Sequence, residues 1–334
     1  MPAFKPRDMT LILPSPAAPL RIGTRGSPLA LAQAHETRRR LAHAFDLPED
    51  AFEIVVIKTT GDDAALIAAD RPLKEIGNKG LFTKEIEEQL LAGGTGDGID
   101  IAVHSMKDMP VEQPAGLVLD CYLPRESTAD AFVSLKHGAI ADLPEGAVVG
   151  TSSLRRKAQL LNRRPDLRVV EFRGNVQTRL KKLEEGIAEA TLLAMAGLNR
   201  LGMSDIAASV FDLEEFPPAP GQGAICVESR IGDTCMDGLL APLNDAETAT
   251  ALACERAFLD ALDGSCRTPI AGYAAINGDR IDFHGMILSP DGRQWHECRE
   301  SAVLDDAATL GRDCGKRLRA EAGEAFFADW GGNA

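Results

Sequence analysis

Ile99-Asp100-Ile101-Ala102-Val103-His104-Ser105-Met106-Lys107-Asp108-Met109-Pro110 is the stretch that decides how the chain is read. Ile99 to Val103 has the make-up of a buried strand. A loop follows at once, carrying an imidazole, a hydroxyl, an ammonium and a carboxylate. Polar groups bunched behind a buried strand project from the carboxyl end of a sheet, where open α/β sheets bind ligands. The bland alternative is a surface Lys107–Asp108 pair, which would contribute little.

Working outward, strand-like runs alternate with helical patterns, which predicts α/β architecture with crossover helices. Leu20–Thr24 reads as a strand. Ser27-Pro28 reads as an N-cap with proline at the first helical position, and Leu31, Ala34, Leu41 and Phe45 continue one apolar face. Phe52–Ile57 is a second strand, and Phe82, Ile86 and Leu90 mark a short helix stopping at Gly93-Gly94. After strand Leu117–Leu123 the pattern pauses at Pro124-Arg125-Glu126-Ser127, as at a domain crossing. A second series follows: strands Ala131–Leu135 and Ala147–Gly150, a helix from about Leu154, strand Leu167–Phe172, a helix capped by Asn175 and ended by Gly186, and strand Thr191–Ala194.

Pro217-Pro218-Ala219-Pro220-Gly221 is the strongest linker signal, and strand Ala224–Glu228 lies beyond it. The last ninety or so residues differ: a helix holding Leu252, Leu259 and Leu262, three strands at Ile270–Ile276, Ile281–Leu288 and Gln294–Glu300, and a terminal helix. Asn277-Gly278 signals a type I′ hairpin with at least one extra turn residue. This predicts a small α+β unit with a three-stranded antiparallel sheet. No internal repeat is visible.

At 334 residues, two or three domains are expected. The formal charge of −14 argues against a general nucleic-acid or anionic-membrane binder, which needs a net basic face. No apolar run approaches the roughly 20 residues of a membrane span. Residues 1–19, rich in proline, are expected to be a mobile extension and not a secretory signal. Seven cysteines without a C-x-x-C pair signal neither a disulfide framework nor a zinc site, so a cytosolic protein with mostly buried thiols and no metal is expected.

Three further clusters bear on chemistry. The glycines of 93–98 run from helix to strand, the reverse of a dinucleotide loop, and read as a plain connection. Residues 151–182 hold ten Lys/Arg against Asp166 and Glu171, a charge of +8 inside an acidic chain. Arg155 and Arg156 fall in the first turn of a helix, where cations oppose the helix dipole, so a merely solvated face explains them poorly. With Thr151-Ser152-Ser153 and free backbone N–H groups they form an anion trap toward which Arg173 and Arg179 can converge. Arg163, Arg164, Lys181 and Lys182 read as surface residues. Cys266, in Gly264-Ser265-Cys266-Arg267-Thr268-Pro269, is an accessible loop thiol beside a cation, either an attachment point or an ordinary loop cysteine.

Taken together these motifs resemble the porphobilinogen deaminase (hydroxymethylbilane synthase) family from residue 20 onward. The resemblance is carried by Arg21–Ala30, Lys79-Gly80-Leu81-Phe82, His104–Pro110, Gly150–Arg156, Arg173-Gly174-Asn175-Val176, Gly221-Gln222-Gly223, and Glu255-Arg256 with Cys266–Pro269. It implies two type II periplasmic-binding-protein-like α/β domains plus a small C-terminal α+β domain. The divisions expected are 20–123 with 222–242, 128–217, and 243–334. It also implies a dipyrromethane cofactor joined by a thioether to Cys266, and head-to-tail condensation of four porphobilinogens with loss of ammonia. Asp108 and Lys107 then take the catalytic positions. Arg25, Ser27, Lys79, Ser105, Thr151, Ser153, Arg155, Arg156, Arg173, Arg179 and Gln222 would hold the carboxylates of cofactor, porphobilinogen and growing polypyrrole chain, which explains the basic island. A monomer is expected, with no nucleic-acid or membrane partner. Ser265 replaces the more usual second glycine, a few residues are inserted at Gly93–Gly98, and Glu75 stands where some members carry lysine. The competing class is a two-lobed receptor for a small anion, which would need no Cys266 loop. RNA binding by the basic stretch would lack stacking aromatics.

Overall fold

The computed structural model describes residues 11–62, 82–93, 98–264, 268–328 and 330. Lys79, Cys266 and most of the glycine cluster fall outside them. In chain order the first series is β1 Leu20–Arg25, α1 Pro28–Phe45, β2 Phe52–Ile57, α2 Lys84–Ala92, β3 Ile101–Ser105 and β4 Leu117–Tyr122. The second is β5 Asp130–Val133, β6 Val148–Gly150, α3 Leu154–Arg163, β7 Arg168–Val170, α4 Val176–Glu184, β8 Ala190–Ala194, α5 Met195–Arg200 and β9 Ser209–Val210. The chain then gives β10 Ile225–Arg230 and α6 Thr234–Leu240. Last come α7 Ala246–Ala261, β11 Ile270–Asn277, β12 Arg280–Leu288, β13 Trp295–Val303, α8 Ala307–Ala322 and α9 Glu324–Ala328.

Two five-stranded sheets share one plan. Their orders are β2-β1-β3-β10-β4 and β7-β6-β8-β5-β9. In each, three parallel strands meet a fourth that runs antiparallel and reaches its place by crossing between the lobes. Strand β5 enters the second sheet straight from the first lobe, and β10 returns to the first sheet after the second is complete. The sequence reading found no repeat because the two lobes share a path and not their side chains.

Helix starts follow their signals. Ser27 accepts a hydrogen bond from the Ala30 N–H, Ser153 from Arg156 and Asn175 from Thr178, satisfying donors that a helix N-terminus leaves open. Both α1 and α3 therefore begin directly after the first parallel strand of their sheet, at the carboxyl edge. Separate cores hold the lobes: Ile22, Leu41, Phe52, Ile101 and Val227 in the first, Phe132, Val149, Leu160, Leu192 and Phe216 in the second.

The third unit is the expected antiparallel sheet β11-β12-β13, with α7 and α8 around Phe258, Phe283 and Leu318. Its hairpin corrects one detail. Asn277 pairs directly with Arg280, so only Gly278 and Asp279 turn. Positive φ is confined to Gly278 (64°), the pattern of a type II′ turn and not the I′ turn with an extra residue. Within the segment expected to be a mobile extension, Leu11 packs on the first core and the Cys235 thiol donates to the Ile12 carbonyl.

The proline-rich stretch forms a junction. Arg155 and Gln159 both donate to the Pro217 carbonyl, and the Gly272 N–H to Pro218. Gly221 and Gly223 have φ of 77° and 87°. A Cβ on Gly223 would stand 2.3 Å from the Glu126 carbonyl oxygen of the other crossing, so the two crossing segments touch where only glycine fits.

Candidate active site

At the carboxyl edge of the first sheet, Arg25 ends β1, Ser27 caps α1, and β3 runs into a single 3₁₀ turn, Met106–Asp108. Arg25, Ser27, Phe82, His104, Ser105 and Asp108 line one pocket. The Arg25 guanidinium lies 4.2 Å from the Phe82 ring centre, a cation–π contact that aims it. Ser105 is held by Gln33 of α1, whose amide nitrogen and oxygen are 2.9 and 3.0 Å from its hydroxyl. Sequence reasoning missed Gln33, Phe82 and His104 as pocket residues. His104 sat in the quoted motif, but nothing local showed that it borders the pocket.

In the second lobe the basic island has an unforeseen partner. Asp130, the first residue of β5, is fully buried. Its two oxygens receive Arg155 at 2.7 Å and Arg156 at 2.7 and 3.2 Å, and Gln222 adds a third donor at 2.9 Å. Burial alone would raise this carboxyl, but the two guanidiniums pull it well below the ordinary carboxylate range. Arg156 also donates to the Leu192 carbonyl at 2.8 Å. The two arginines were expected as open forks opposing the helix dipole. Instead they share one carboxylate, which offsets that unfavourable dipole interaction and fixes both heads.

One carboxylate between two guanidiniums leaves positive charge over. Arg155 Nε is a buried donor without a hydrogen-bond acceptor among the described residues. Thr151 is buried and accepts from the Ser153 N–H, Ser153 caps α3, and Ser152 accepts from Phe172. Arg173 is buried after β7, and Arg179 folds back onto the Gly174 carbonyl.

Lys107 links the lobes. Burial and the nearby Arg156 bring its ammonium down to about 8, against the opposing pull of Asp108 and Asp130. The first lobe's loop is thus within electrostatic reach of the second lobe's cations, and three cations there face two carboxylates. That surplus suits an anionic ligand. Behind the cleft, Arg125 of one crossing forms a two-pronged pair with buried Glu255 of α7 at 2.6 and 2.9 Å. Glu255 also accepts the N–H groups of Gly221 and Ala274, binding hinge and third unit together.

Fold and site therefore define a two-lobed α/β protein with a polar pocket at the edge of its first lobe, a cluster of cations in its second, and an appended α+β unit. A family model described as porphobilinogen deaminase, dipyromethane cofactor binding domain, matches residues 20–237, and one for the porphobilinogen deaminase C-terminal domain matches 249–320. A porphobilinogen deaminase from Paracoccus denitrificans (strain Pd 1222) is 59% identical over 318 residues, 95% of this chain and 99% of that one. The chain belongs to the porphobilinogen deaminase family. Its activity is hydroxymethylbilane synthase activity, a transferase reaction supported by a dipyrromethane cofactor. Solved structures it is similar to include the periplasmic VFT2 domain of Bordetella pertussis BvgS (16% identity, TM-score 0.38, 67% of this chain and 86% of that one). Another is a periplasmic substrate-binding protein from Coxiella burnetii (14%, TM-score 0.40, 71% and 96%). Likenesses with scores this low carry no weight, and the two-lobed fold rests on its strand order. Among the described residues no group of side chains is arranged for a metal, and no helix is long and apolar enough to cross a membrane.

Proposed function

We propose that the pocket beside Asp108 is where porphobilinogen loses ammonia, and that the cations of the second lobe and hinge hold ring carboxylates. The observation that carries this is the placement of Asp108 with Arg25 on one pocket wall, while its neighbour Lys107 lies within reach of the Arg156–Asp130 cluster. The pyrrole N–H of the substrate donates to Asp108. As the C–N bond breaks, its electron pair leaves with the nitrogen as ammonia, and positive charge spreads into the ring. A fixed carboxylate at that point is stronger help in the transition state than in the ground state. Arg25, Ser27, Ser105 and Lys79 hold the substrate's acetate and propionate.

The donor set of the second lobe fits the cofactor: surplus cation charge, a buried Arg155 Nε without an acceptor among the described residues, and hydroxyls at a helix N-terminus. Arg155, Arg156, Arg173, Arg179, Thr151, Ser153 and Gln222 would hold its carboxylates, and Cys266 its thioether. When bound, dipyrromethane supplies a nucleophilic ring carbon and a covalent anchor for the chain. The domains divide at 20–123 with 222–242, 128–217, and 243–334, and the protein works as a cytosolic monomer. The buried free thiols at Cys121, Cys226, Cys254, Cys298 and Cys314 accord with a reducing compartment.

The test is Asp108→Asn, which keeps size and removes the charge. Turnover of porphobilinogen should fall by about 10²–10³-fold, and near-normal turnover sinks the assignment. Intact mass reads the anchor: wild type should carry a two-pyrrole increment and Cys266→Ser none.

A further inference from the structure

Behind the pocket wall lies a buried acidic cluster that the reading above does not use. His104 on β3 and Glu228 on β10 project from the same face of neighbouring antiparallel strands, two residues apart in register, His104 pairing with Cys226 and Glu228 with Ala102. His104 Nε2 is 3.3 Å from Glu228 Oε2. Glu228 is fully buried, and both its oxygens lack a hydrogen-bond donor among the described residues. Glu87 of α2 is buried beside it and has one oxygen without a donor. Burial pushes the Glu87 carboxyl up, and the charge of Glu228 adds to the rise. A carboxyl in a dry interior with a second acid near it is disfavoured as the anion, which makes Glu87 the member suited to keep a proton. His104 is the member that lines the pocket, beside Asp108 and Ser105. A core assembled for stability alone would place apolar side chains here.

The chemistry in the pocket has a proton to dispose of. When a ring carbon of one pyrrole bonds to the methylene of the next, its C–H bond must break. The pair returns to the ring, and the proton needs an acceptor. We propose that His104 accepts this proton, with Glu228 positioning its imidazole and Glu87 completing a buried proton store. The imidazolium then passes the proton to the departing ammonia, which leaves as ammonium, so each cycle closes without an external acid or base. This inference rests on the assignment of the pocket to the reaction. Asp108 stays with the N–H groups, and the two side chains divide charge stabilisation from proton transfer.

The experiment uses holoenzyme and porphobilinogen deuterated at its free ring carbon. That deuterium is lost when an added ring couples to the next. His104→Gln should lower turnover roughly 100-fold and expose a primary deuterium effect absent from wild type. Glu228→Gln should show the same effect with a smaller loss, whereas a merely structural role leaves the isotope effect unchanged. In wild type, the His104 imidazole nitrogen signals, read by NMR on holoenzyme labelled with nitrogen-15 at histidine, should move toward the imidazolium position when porphobilinogen is added. That measurement needs no variant and stands if either substitution unfolds the protein. No deuterium effect in the folded variants, or His104 signals unchanged by porphobilinogen, overturns the proposal. If wild type turns over but Asp108→Asn does too, the pocket reading fails instead.

Discussion

The two lobes solve the same topological problem with opposite electrostatics. Each receives a crossing strand that runs antiparallel, and each crossing strand brings one fully buried carboxylate to its sheet. In the second lobe that carboxylate, Asp130, is saturated by two guanidiniums and an amide. In the first lobe Glu228 meets, among the described residues, an imidazole at 3.3 Å, with Glu87 nearby. A saturated carboxylate fixes cations in place, and one with few donors leaves the neighbouring imidazole as the group it orients. The fold supplies a buried carboxylate on the crossing strand of each sheet, at the start of β5 and in the middle of β10, and the surrounding side chains decide what it holds.

The largest effect is expected from breaking the saturated member. Asp130→Asn leaves two buried guanidiniums without their counter-ion and should cost about 3–5 kcal/mol, read as a lower urea midpoint. The sign of the pH dependence follows from the depressed carboxyl. Its stabilisation is fully present above the unfolded value of about 3.9 and is lost only as pH falls through the much lower folded value. Wild type and Asp130→Asn should therefore converge only in strong acid. A difference already gone at pH 5 would mean the pair is not what holds the lobe.

Next comes the contact behind the hinge. Glu255→Gln removes the charge that Arg125, Gly221 and Ala274 share, and should cost about 2–3 kcal/mol. Limited proteolysis should cut the crossing segments sooner in the variant. Equal cutting rates would show that the lobes are held together elsewhere.

These two carboxylates mark the limit of what sequence reading reached. The alternation of strands and helices, the N-caps Ser27 and Asn175 and the polar loop after β3 were all legible, because each depends on neighbours within a few residues. Asp130 was not, since it lies 25 residues from Arg155 and nothing local announces the contact. Charge counting therefore saw a helix N-terminus with two misplaced cations and inferred open forks. Glu228 was hidden more completely, as an acid in an ordinary strand whose partner precedes it by more than a hundred residues. The repeat of the two lobes was invisible for a related reason: Arg25-Gly26-Ser27 and Thr151-Ser152-Ser153 occupy the same turn of the fold with different chemistry.

A smaller effect should come from Lys107, at the point where the lobes meet. Its ammonium, lowered to about 8 by burial and Arg156, is charged below that pH and neutral above it. The KM for porphobilinogen should rise a few-fold as pH passes upward through 8, with kcat changing less, and Lys107→Met should flatten that rise. The folded value lies below the unfolded one, so the charged form opposes folding. Lys107→Met should be the more stable protein below pH 8, and the gap should close as pH approaches 10.5. A variant less stable at pH 7 would show that the lysine stem matters more than its charge.

The smallest expected effect is the sharpest test of the comparison. Glu228→Gln changes a buried carboxyl as thoroughly as Asp130→Asn does, so burial alone predicts equal damage. The two sites differ in what the carboxylate leaves behind. Asp130 abandons two cations that have nowhere else to go, whereas Glu228 lacks donors for both oxygens among the described residues and abandons an imidazole able to be neutral. Its replacement by an uncharged amide of similar volume should therefore leave stability within about 1 kcal/mol of wild type, or raise it, while turnover falls. A loss approaching that of Asp130→Asn would mean that the first lobe's carboxylate is a structural ion pair after all, and that the two crossing strands do the same work.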